Sequence, residues 1–146
     1  MTRRSPKAIG TNTESAVVRF LAANGFPHAE RRSLRGSLDA GDITGAPGVA
    51  WSVKGGVAAK TASDGQVTRW LAELERQRVN AAATIAVLVL QRAGIGEANA
   101  GRWWAVVGYG GLCCGVVDGP PARLHLADVC TLLRNAGYGT PLEVTR

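Results

Sequence analysis

Gly41-Asp42-Ile43-Thr44-Gly45-Ala46-Pro47-Gly48-Val49-Ala50-Trp51-Ser52-Val53-Lys54 is the stretch whose reading decides the fold. Gly45 to Gly48 is a cluster of turn formers between two short runs rich in β-branched and aromatic residues. Asp42–Thr44 and Val49–Lys54 therefore read as strands of a β-hairpin. Such a hairpin carries Asp42 at its entrance and Lys54 near its exit.

Upstream, Thr11-Asn12-Thr13-Glu14 ahead of Val17, Val18 and Leu21 predicts a helix with a Thr or Asn cap, stopped at Asn24-Gly25. Glu14 precedes Val17 and Val18 by a helical turn, on or beside the packing face, an expensive place for a carboxylate unless something binds it. Phe26–Ser33 predicts a first strand. Downstream, Val67–Asn80 reads as a helix with Trp70, Leu71 and Leu74 inward and Glu73 and Gln77 one turn apart. Thr84–Arg92 and Gly101–Val107 read as strands, and Leu124–Ala136 as a last helix. Gly108–Arg123 is rich in Gly and Pro and receives no assignment. The order α-β-β-β-α-β-β-α implies an α/β fold, a mixed β-sheet flanked by helices.

With 146 residues and 46% hydrophobic content, the chain suits one domain with a single core. Residues 11–146 are expected to form it, after a basic flexible arm over residues 1–10. Seventeen Lys and Arg against eleven Asp and Glu give +6, concentrated near the N-terminus, so a polyanion is the expected partner. Arg3, Arg4 and Lys7 of the arm, with Arg31, Arg32, Ser33 and Arg35, are the candidate DNA phosphate contacts. The other reading of these residues is a solvated basic strand edge that discourages edge pairing. The first 23 residues lack a continuous apolar core, and the longest apolar run, Ile85–Leu90, cannot span a bilayer. No membrane partner and a cytoplasmic location are expected. Three cysteines, with Cys113 and Cys114 adjacent, form neither a disulfide framework nor a CxxC metal site.

In this order of elements Glu14, Asp42 and Lys54 can converge at one sheet edge. Two carboxylates and an amine suit Mg²⁺, which keeps several waters and takes one or two protein carboxylates plus substrate phosphate. A bound metal would acidify a water and neutralise phosphate charge, with Lys54 orienting the attack or stabilising the transition state. Each residue alone has an ordinary reading: a turn aspartate, a solvated strand end, a carboxylate favoured by the helix dipole. Asp39 is the reserve for Asp42. Trp103 and Trp104, adjacent on a strand, should face opposite ways, one inward and one outward.

Phe26-Pro27-His28-Ala29-Glu30-Arg31-Arg32-Ser33, Asp39-Ala40-Gly41-Asp42-Ile43 and Pro47-Gly48-Val49 together resemble the Holliday junction resolvase-like proteins of actinobacterial phages and their hosts. Those proteins belong to the PD-(D/E)xK nuclease superfamily, with a restriction-endonuclease-like fold. The resemblance extends to the second helix, Trp103–Val107 and Asn135-Ala136-Gly137-Tyr138-Gly139. It implies a structure-selective DNA endonuclease, Mg²⁺-dependent with Mn²⁺ as substitute, acting on branched DNA as a homodimer in a bacterial or phage-infected cytoplasm. By position, Glu14 and Asp42 would be metal ligands, the Val53 carbonyl a further one, and Lys54 the catalytic lysine. Ser52 stands at the glutamate position of the ExK triplet. Either the missing acid comes from the neighbouring helix, with Glu73 and Gln77 as candidates, or the fold persists as a noncatalytic DNA-binding or structural assembly subunit.

Overall fold

The computed structural model describes residues 4–33, 38–108 and 120–142. In chain order the elements are α1 (Pro6–Ala23), β1 (Glu30–Arg31), β2 (Ile43–Thr44), β3 (Val49–Lys54), α2 (Gly56–Lys60), α3 (Asp64–Asn80) and β4 (Ile85–Leu90). A 3₁₀ helix, Glu97–Arg102, leads to β5 (Trp104–Gly108), β6 (Pro121–His125) and α4 (Leu126–Asn135). The four-stranded sheet has the order β3-β4-β5-β6. Its β3/β4 pair is parallel and the other two pairs are antiparallel, so it is mixed as expected.

Alternation along each strand sorts the side chains between two layers. Val49, Trp51, Val53, Val87, Val89, Ala105 and Val107 face the core closed by α1 and α4, together with Phe26 and Trp103. Helix α1 supplies Ala16, Val17 and Leu21, and α4 supplies Leu126, Val129, Cys130 and Leu133, spacings that form one apolar stripe each. Phe26 meets Trp51 edge to face, ring centroids 6.0 Å apart. On the other side Ala50, Leu88, Leu90 and Val106 meet Val67 and Leu74 of α3.

Several sequence expectations are corrected. Helix α1 begins at Pro6, because Ser5 caps it by accepting the Ala8 N–H at 3.2 Å and Pro6 needs no donor at the first position. Residues 6–10 are thus helical rather than a flexible arm, and Thr13 is a mid-helix residue whose hydroxyl donates to the Ile9 carbonyl at 2.7 Å. Strands β2 and β3 do not form a two-stranded hairpin: β2 pairs with β1, and β3 pairs with β4. The first strand shrinks to two residues. The region left unassigned contains the first three residues of β6, and the strand also takes Leu124 and His125, the first two residues assigned to the last helix. Pro121 is tolerated there because β6 is an edge strand. Trp103 precedes β5 and is fully buried, while Trp104 is half-buried on the α3 side.

Candidate active site

Strand β3 has β4 on one side only, and the Asp42 segment lies along the other. The Asp42 N–H donates to the Trp51 carbonyl at 2.8 Å, and its Oδ2 accepts the Val53 N–H at 2.7 Å. Asp42 thus continues the ladder with one backbone bond and one side-chain bond. Gly41 makes this approach possible: its φ is +100°, and a Cβ there would sit 2.7 Å from the Trp51 oxygen. A strand residue sends its N–H and C=O to the same side, so the Val53 carbonyl opens on the same edge as the Asp42 carboxylate.

Burial pushes the Asp42 carboxyl above its ordinary range, and the Val53 N–H bond opposes this. Glu14 pushes it further up, Lys54 draws it down, and Asp39 adds a smaller upward push. Glu14 and Lys54 are therefore both brought within electrostatic reach of Asp42, as the order of elements implied. The placement of Glu14 follows from packing: a Cβ at Gly55, one residue past β3, would collide with the Thr13 side chain, so α1 rests directly on the strand's exit.

The remaining candidates divide. Lys54 leaves β3 on the α3 side, with Nζ 5.6 Å from the centre of the Trp70 ring and 4.0 Å from Glu73 Oε1. Glu73 is near the lysine, but it is not among the charges that shift Asp42. Gln77 is buried and donates through Nε2 to Asp39 Oδ2 at 2.8 Å, while its Oε1 has no protein partner. Ser52 is buried on the strand face that alternation turns toward α3.

The basic candidates are largely engaged. Arg31 Nε donates to Glu14 Oε2 at 2.9 Å, which partly neutralises that carboxylate, and Arg4 pairs with Glu97 at 3.1 Å. Arg32 gives its backbone N–H to the Asp42 carbonyl at 2.9 Å, and its Nε is buried without a partner. Lys7 is exposed in the first turn of α1, and Ser33 is exposed beside β1. Arg3, Arg35, Cys113 and Cys114 lie outside the described residues. Burial pushes the third thiol, Cys130, up to about 12, which leaves it unreactive at neutral pH.

Sequence reasoning missed the anchors of the Asp42 loop. Asp39 Oδ1 accepts the Gly41 N–H at 3.1 Å, and its carbonyl accepts from Asn80 Nδ2 at 2.8 Å. With Gln77 these contacts tie the loop to α3. The Asp-x-Gly spacing is itself a turn signal; the bonds from α3 have none.

Among the described residues, no three His, Cys, Asp or Glu side chains are grouped so as to hold a metal ion. The donors present are the carboxylates of Asp42 and Glu14 and the carbonyl of Val53. Such a set is too small for an all-protein cage, but it fits Mg²⁺, which keeps waters and takes substrate phosphate. A divalent cation would also relieve the crowding of Asp42 by Glu14 and Asp39. Searches against protein-family models, curated proteins and solved structures gave no match for this chain.

Proposed function

We propose that the protein is a small Mg²⁺-dependent endonuclease acting on branched DNA, as its resemblance to Holliday junction resolvases implies. The observation that carries this reading is the Asp42 carboxylate, half-buried at the open edge of β3 and within electrostatic reach of both Glu14 and Lys54. A partly desolvated carboxylate crowded by a second carboxylate costs stability, and such groups cluster at functional sites. Asp42, Glu14 and the Val53 carbonyl would hold the metal. The metal, when bound, supplies positive charge to the scissile phosphate and acidifies a water. Lys54 donates to a non-bridging phosphate oxygen and so stabilises charge in the transition state, while Glu73 and Trp70 hold its ammonium in place. The DNA phosphates are left to exposed cations such as Lys7.

The competing reading, a noncatalytic DNA-binding or structural subunit, draws support from Ser52. Its hydroxyl leaves two carboxylates where a third would serve, and Glu73 is engaged with Lys54 instead. Cleavage of a labelled four-way junction beside linear duplex, in Mg²⁺ or Mn²⁺, separates the two. Symmetric nicks in the junction that disappear in Lys54→Ala are expected; binding without cutting in either metal would establish the noncatalytic reading.

A further inference from the structure

A second cluster lies on the same face of the sheet as Lys54 and outside the carboxylate site. The registers align Lys54 with Leu90, Leu90 with Trp104 and Trp104 with His125, so these four residues form one row across β3, β4, β5 and β6. Paired residues share a face. With two strand spacings between them, Trp104 lies about 10 Å along the sheet from Lys54.

Around Trp104 the charge is positive. The Arg92 guanidinium stacks over its ring with Cζ 4.1 Å from the centroid, Arg123 stands 5.8 Å away, and the His125 ring is 5.5 Å away. Arg92 Nη1 is oriented by the Arg102 carbonyl at 3.3 Å and by His125 Nε2 at 3.2 Å. A guanidinium has no acceptor, so His125 Nε2 accepts this bond. The ion pairs of the described residues are Arg4–Glu97, Arg31–Glu14, Lys54–Glu73 and Arg78–Glu75. None involves Arg92 or Arg123, so the cluster neutralises no carboxylate among the described residues.

A half-buried tryptophan with a planar guanidinium stacked on it offers a flat platform to a nucleobase, and an arginine beside it offers charge to the adjoining phosphate. Helix α3 packs near β3 and β4, whereas Arg123 on the outermost strand is exposed. We propose that Trp104, Arg92 and Arg123 form a nucleotide subsite that holds an unpaired base of the DNA strand next to the scissile phosphate. The proposal rests on the endonuclease reading and adds to it a preference for DNA with an unstacked nucleotide near the cut. A fully stacked duplex cannot offer a base to the platform. A flap, or a junction opened at its crossover, can.

The test measures binding of the full chain to one fluorescein-labelled DNA strand presented alone, within a four-way junction, and in a blunt duplex. Ca²⁺ replaces Mg²⁺, and salt is varied. The variants are Trp104→Phe, which keeps an aromatic ring on the core, Trp104→Ala, and Arg123→Gln at an exposed position. Trp104→Ala is expected to weaken binding to the single strand and junction about tenfold, the scale of one base–aromatic stack, with little change on duplex. Trp104→Phe should restore most of the loss. Arg123→Gln should lower the single-strand salt slope by about 0.7, the value of one phosphate contact. Wild-type binding left unchanged by all three variants would overturn the subsite and leave the endonuclease reading intact. Equal losses on blunt duplex would overturn the unpaired-base assignment. A wild-type chain that binds none of the three DNAs would overturn the subsite and the endonuclease reading together.

Discussion

The two faces of the sheet divide the labour of the molecule. The face under α1 and α4 is apolar and closed: Phe26, Trp51, Trp103, Leu21, Leu126 and Leu133 are all buried there. The face under α3 has a smaller apolar centre, and around it stand Ser52, Lys54, Gln77 and the Arg92–Trp104 stack. A sheet backed by one well-filled core can place polar groups on its other side without losing its shape. Each fully buried large side chain contributes about 1.5–3 kcal/mol, so the closed face alone provides a large share of the driving force.

The adjacent tryptophans give the sharpest test of this contrast. Trp103→Ala removes a fully buried indole and its 2.9 Å bond to the Ile95 carbonyl, and should cost about 3–5 kcal/mol in urea denaturation. Trp104→Ala, one residue on, should cost about 1 kcal/mol, because its ring is half-exposed. Equal losses would break the comparison.

Next in size is Lys54→Ala. Junction cleavage should fall about 10²–10³-fold, as for loss of one transition-state donor, with the melting temperature nearly unchanged. A comparable loss of stability would make Lys54 a structural residue.

Asp42→Asn tests the carboxylate at the boundary between the faces. Burial raises the native carboxyl above its ordinary value, so over the window between the two values the folded protein keeps a proton that the unfolded chain has lost. Stability therefore falls as pH rises through that window and stays lower at neutral pH. Asparagine can still accept the Val53 N–H but carries no charge. The variant should melt higher than the wild type near pH 7, and the gain should vanish in acid below the window. Millimolar Mg²⁺ should raise the melting temperature of the wild type and leave Asp42→Asn unmoved.

The smallest effect is expected from Glu73→Gln. Its pair with Lys54 is partly exposed and 4.0 Å long, worth under about 1 kcal/mol, so cleavage should drop by less than about fivefold. A loss of a hundredfold would identify Glu73 as the displaced acid.

Strand β3 was legible to the residue, because the Gly45–Gly48 turn precedes it, Gly55-Gly56 follows it, and the run between is rich in β-branched and aromatic residues. Glu14, Asp42 and Lys54 were legible as a group from the order of the elements that carry them. Other features depend on partners distant in sequence. Pro121-Ala122-Arg123-Leu124-His125 has almost no strand propensity of its own and is a strand because β5 offers it an edge. The bond from Gln77 to Asp39 spans 38 positions, and no local pattern announces it. The true start of α1 was written in Ser5-Pro6, but Thr11-Asn12-Thr13-Glu14 offered a second plausible cap nearer the apolar run.

The Asp42 carboxylate also bears on solubility. An open strand edge with an unsatisfied N–H is a template for another chain, and here the Val53 donor is already taken by a charged side chain at a position where a neighbouring strand would have to dock. Asp42→Ala would therefore do more than remove a ligand. It would free the Val53 N–H on the edge of β3 while the backbone bond to Trp51 remains, and such a protein should aggregate on concentration more readily than Asp42→Asn.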